Sequence, residues 1–77
     1  MSNQIQEMLQ EHDLRLTRIR SQVLELFLGQ QKALSQSELE ERLGKVDRIT
    51  LYRTLRTFEE KGLIHRAIDG TEKLKLS

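Results

Sequence analysis

Between Leu34 and Leu63 the chain spells two helix starts with almost nothing between them. In LSQSEL, Ser35 can cap the amide of Glu38 while the Glu38 carboxylate reaches back. Leu34 and Leu39 stand where a hydrophobic staple closes. The same logic recurs at Asp47, an N-cap flanked by Val46 and Leu51. The first of these helices ends at Gly44, so only Gly44, Lys45 and Val46 separate the two. Two helices joined by a three-residue turn containing glycine form a helix-turn-helix.

The flanking segments complete a recognisable order. MSNQ reads as a frayed end. In IQEMLQEH, Ile5, Met8 and Leu9 have helical spacing, which predicts a short first helix. LTRIRSQVLELFLG predicts a second, with Thr17 as N-cap, Val23, Leu24 and Phe27 inward, and Gly29 at its C-terminal end. The helix from Asp47 ends at KGL, where Gly62 can take the left-handed cap conformation. Beyond Gly62 the period changes from helical to two. LIHRAI and TEKLKL flank Asp69-Gly70, a two-residue hairpin signal that would align Leu63, His65, Ala67, Leu74 and Leu76 on one face. Helices followed by a hairpin make a mainly helical α+β fold, a winged helix-turn-helix filling residues 1–77 as one domain.

The helix of residues 47–63 has an unusual outer face. At about 100° per residue, Leu51, Leu55 and Phe58 share one side with Thr54 at its edge, an ordinary core stripe. The opposite side holds Ile49, Tyr52, Arg53, Arg56 and Glu60. In a major groove an arginine can bond guanine bidentately or grip phosphate, and an apolar side chain can meet a thymine methyl. Arg53, Arg56 and Ile49 suit those roles, while Tyr52 offers both a ring and a hydroxyl. Glu59 and Glu60 lie at the far end of the helix, away from the expected bases. The alternative is that the arginines are merely solvated and Tyr52 covers a neighbouring helix. Lys73, Lys75 and Arg66 of the wing can touch phosphates or serve as edge-strand charges that block aggregation.

Charge supports a division between the two halves. Residues 1–44 carry five basic and seven acidic side chains, residues 45–77 eight basic and five acidic. With no cysteine there is neither a disulfide framework nor a thiolate metal site. The absence of a long apolar run argues against a signal peptide or membrane span, leaving the cytoplasm as the expected location. The two histidines, His12 and His65, have no companion ligand at i+3 or i+4. His65 is expected to be a half-buried strand residue and His12 a solvated one. No nucleophile–base pair, phosphate-cradling glycine loop or convergent carboxylates are present, so no enzyme is expected.

LTRIR, SQSELEERL and ITLYRTLRTFEEKGLI together resemble the DNA-binding domain of the ferric uptake regulator family over roughly residues 14 to 77. The family's leucine-threonine-x-x-arginine start corresponds to Leu16, Thr17 and Arg20. Its threonine-x-tyrosine-arginine-x-leucine run corresponds to Thr50, Tyr52, Arg53 and Leu55. The resemblance implies a metal-dependent dimeric transcriptional regulator, usually a repressor, with Tyr52, Arg53 and Thr50 on the DNA side and Arg20 as a backbone contact. It further implies that this chain is either a short relative without the sensor or, the favoured reading, the N-terminal part of a longer two-domain protein. The sensing metal ion (iron, zinc or manganese) and the homodimer interface would then belong to a C-terminal domain, leaving this segment without a cofactor and monomeric. Histidines that the family often carries before the third helix are replaced here by QQKALS. A winged helix used for protein–protein contacts is the competing reading.

Overall fold

The computed structural model describes residues 3–30, 33–67 and 73–76. Four helices precede a two-stranded antiparallel sheet: α1 (Asn3–Glu11), α2 (Arg18–Gln30), α3 (Gln36–Leu43), α4 (Arg48–Lys61), β1 (Ile64–Arg66) and β2 (Leu74–Leu76). α1 begins at Asn3, so Asn3 and Gln4 belong to a helix rather than to a frayed end.

One core joins all of these elements. Ile5 and Leu9 of α1, Val23, Leu24 and Phe27 of α2, Leu39 of α3, and Leu51, Leu55 and Phe58 of α4 are buried together with Leu14, Leu34, Leu63, Ile64 and Leu74. α3 and α4 pack on each other and on α2, the helix-turn-helix arrangement, while β1 packs on α4. Thr54 is the one buried polar side chain among the described residues, and its hydroxyl donates to the Thr50 carbonyl at 2.9 Å.

The helix ends explain the local geometry. The Ser35 hydroxyl accepts from the Glu38 amide at 3.1 Å, and the Glu38 carboxylate accepts from the Ser35 amide at 2.9 Å, a closed capping box. Both staple leucines, Leu34 and Leu39, are fully buried. Removing the hydroxyl leaves the Glu38 amide without its cap. Ser35→Ala is therefore expected to lower stability by about 0.5–2 kcal/mol, read as a lower urea midpoint at unchanged slope. At Asp47 the carboxylate accepts from the Ile49 amide at 3.0 Å. α4 stops in a Schellman motif: Leu63 donates to the Phe58 carbonyl and Gly62 to that of Glu59, with Gly62 in the left-handed region at φ 83. α1 stops the same way, with Leu14 bonded back to Leu9 and Asp13 to Gln10. There the left-handed residue is Asp13, at φ 59. The motif buries Leu14 against the core, a contact that helical periodicity could not reveal because Leu14 lies outside any helix.

Gly29 does not end α2, which runs on through it to Gln30. Gly29 is exposed and a methyl group there would meet nothing, so no packing demand singles out this glycine. The wing register also differs. A two-residue turn at Asp69-Gly70 would set Arg66 opposite Lys73; instead Arg66 faces Leu74, His65 faces Lys75 and Ile64 faces Leu76. Relative to β2, the one-residue change turns the β1 side chains to the other face. Ile64 therefore joins Leu74 in the core, Leu76 packs against it, both leucines lying inward as expected, and His65 is exposed rather than half-buried. Leu63 is buried as part of the α4 cap, not as a strand residue, which is why counting alternation from it fails. The observed register is further secured by Leu34, which exchanges two 2.8 Å backbone hydrogen bonds with Leu74. The turn at Asp69-Gly70 itself lies outside the described residues.

Candidate nucleic-acid interface

α4 is held on its inner side by Leu51, Leu55 and Phe58, each at most 3% exposed. That anchoring dictates what the other side presents. Ile49 is 63% and Tyr52 47% exposed, and Thr50, Arg53 and Arg56 are exposed beside them. Leaving an isoleucine and a tyrosine in water forgoes burial that a core of this size can use.

The polar side chains on this face are differently engaged. Arg56 lies between Tyr52 and Glu60: its Nη1 donates to the Tyr52 hydroxyl at 3.5 Å, and its Nε is 3.7 Å from a Glu60 carboxylate oxygen. The contact with Tyr52, then the charge of Glu60, raises the already high pKa of the Arg56 guanidinium. Arg53 has no hydrogen bond or ion pair among the described residues. A groove of about 350 Å³ runs between this face and the wing, bordered by Tyr52 and Arg56 on the helix and by Arg66 on β1.

Wing and helices are tied by ion pairs. Arg66 reaches Glu59 of α4 at 3.3 Å, and Lys73 reaches Glu38 of α3 at 3.7 Å. Across the turn between α3 and α4, Arg48 meets Glu40 at 3.4 Å. All three pairs are partly or largely exposed, so each contributes at most about 1 kcal/mol.

Of the residues singled out in the sequence, Ile49, Thr50, Tyr52, Arg53 and Arg56 are brought together on α4. Lys73 stands at the wing beside the start of α3. Arg20 is on α2, where its guanidinium donates to the Arg15 carbonyl at 2.9 Å and its amide to the Thr17 hydroxyl at 3.3 Å. It therefore fastens the chain entering α2 and is only half-exposed. Glu59 and Glu60 lie in the last turn of α4, where Glu59 is paired with Arg66 and Glu60 with Arg56. The signal was present as the i, i+4 spacing of Tyr52, Arg56 and Glu60.

His12 is half-buried rather than solvated, its Nδ1 2.7 Å from the Met8 carbonyl. Because a carbonyl only accepts, that nitrogen carries the proton. Among the described residues no three histidine, aspartate or glutamate side chains converge on a metal position. None of the described helices is long and apolar enough to cross a membrane.

No curated protein and no solved structure matches the chain. A model of the ferric uptake regulator family does, over residues 11–76, a span that takes in the helix-turn-helix, the exposed face of α4 and the wing. The chain thus belongs to the ferric uptake regulator family, whose members are metal-responsive transcriptional regulators rather than enzymes.

Proposed function

We propose that this domain binds double-stranded DNA in a sequence-specific manner and serves a transcriptional regulator, a repressor of metal-responsive genes. The observation that carries the reading is the exposed Ile49–Tyr52–Arg53–Arg56 face on the outer side of a helix-turn-helix second helix. With α4 in the major groove, Ile49 meets a thymine methyl, and Thr50 and Tyr52 supply hydroxyls to phosphate or base. Arg53 and Arg56 provide donors to guanine or phosphate. Lys73 exchanges Glu38 for a backbone phosphate, and Arg20 contributes a weaker contact beside the start of α2. The acidic partners of the wing cations keep those charges in place until a phosphate replaces them.

A salt titration tests the reading. Phosphate contact releases counterions, so affinity for duplex DNA is expected to fall linearly with salt on logarithmic axes, by about 0.9 in slope for each phosphate neutralised. A flat dependence, or capture of no duplex at low salt, would favour the protein-contact alternative, in which Ile49 and Tyr52 meet another chain.

The domain is expected to fold and bind without metal and to remain monomeric at micromolar concentration, since two separate histidines and no thiolate are too few for a closed site. A homodimer of the regulator would read two half-sites and gain affinity through effective concentration. EDTA is accordingly expected to change neither the circular dichroism spectrum nor the gel shift of this chain. A chelator-sensitive shift would place a metal site within these 77 residues.

A further inference from the structure

On the outer face of α4, Tyr52, Arg56 and Glu60 follow one another at i, i+4 and i+8, so that the guanidinium in the middle is held from both sides. Arg53, one turn earlier, has no such partner among the described residues. We infer that Glu60 is a specificity-determining positioning residue. It acts through Arg56, converting a cation that would grip any phosphate into a hydrogen-bonding fork aimed at a base edge. The inference rests on the DNA-reading assignment of this face.

A guanidinium has five N–H donors in one plane. In Arg56, Nε faces Glu60 and one hydrogen of Nη1 faces Tyr52. The hydrogens left over are the two of Nη2 and the second of Nη1, donors that can meet the O6 and N7 acceptors of guanine. Attraction to phosphate is chiefly a matter of charge, and a carboxylate 3.7 Å from Nε offsets that charge while repelling the phosphodiester itself. Attraction to a neutral base edge depends on donor geometry, which the two side contacts preserve. In free solution the pair is exposed and adds little to stability. Against DNA, where water is displaced, the same charges interact more strongly. In the free domain Glu60 is the carboxylate paired with Arg56, while that of Glu59 is engaged by Arg66 at 3.3 Å.

Two duplexes of equal length suffice for the test, one enriched from a random pool by binding to the 77-residue parent chain and one of mixed sequence. For Glu60→Gln, the affinity ratio between them is expected to fall about fivefold, the lower end of what one bidentate base contact discriminates. Binding to the mixed duplex is expected to tighten, and its salt slope to steepen by about one as Arg56 turns to phosphate. Melting temperature is expected to stay at the parent value. In an Arg56→Ala background, Glu60→Gln is expected to leave the ratio where Arg56→Ala alone puts it. An unchanged ratio and slope in Glu60→Gln overturn the inference. So does an undiminished effect in the Arg56→Ala background, which would make Glu60 a general repeller of DNA. A parent chain that shows no salt-dependent binding to either duplex overturns the DNA assignment itself, a result distinct from these.

Discussion

Phe58→Ala is expected to leave much of the protein unfolded at room temperature. Phe58 is fully buried and among the largest side chains of the core, and its carbonyl accepts the Leu63 amide in the cap that turns the chain from α4 into β1. Truncating a buried phenylalanine costs about 3–5 kcal/mol. A single core in a chain this short rarely supplies more than about 3–5 kcal/mol of net stability. The two quantities are comparable, so the variant sits near its unfolding midpoint without denaturant. Leu55→Ala, at about 2–5 kcal/mol, is expected to behave similarly and to lose DNA binding only as folded protein is lost. Urea titrations followed by circular dichroism check both. A Phe58→Ala protein with the parent's transition would mean that α4 is rotated about its axis and that a different face looks outward.

On the opposite side of the same helix, Tyr52→Ala and Arg53→Ala are each expected to weaken binding to a selected duplex by about 1–3 kcal/mol while the melt barely moves. Tyr52 is half in solvent and Arg53 has no partner among the described residues, so their removal leaves no cavity and no orphaned buried group. The two variants are expected to differ in how they fail. Losing the Arg53 charge flattens the salt dependence by about one phosphate. Losing the Tyr52 ring and hydroxyl also frees Arg56 from one of its two side contacts, and specificity is expected to drop more than non-specific affinity. Gel shifts across a salt series, beside thermal melts, separate these outcomes. A large fall in melting temperature with intact binding per folded molecule would count against an interface role for either residue.

Much of this architecture was legible before any coordinate. The caps at Ser35 and Asp47, the staples around them and the glycine end of α4 are short-range devices, decided by residues three to five apart. Such devices read the same in a sequence as in a structure. The outer face of α4 was legible for the same reason: the helical period and a strongly apolar stripe leave little freedom in what faces away. The wing register was not legible, because its deciding partner lies far along the chain. Leu74 bonds to Leu34 across the fold, and that bridge, with the burial of Ile64, sets the wing register that the Asp69-Gly70 pattern misplaced.

The sequence by itself therefore determined the helix-turn-helix, its boundaries to within a residue or two, and the chemistry displayed on its second helix, because each follows from local hydrogen bonding and a single periodicity. Tertiary structure decided which side of the wing faces inward, and brought Lys73 to Glu38 and Arg66 to Glu59. It also placed Leu14 in the core. These outcomes depend on which apolar side chains can be buried at once in one small core, a condition set by all the elements together.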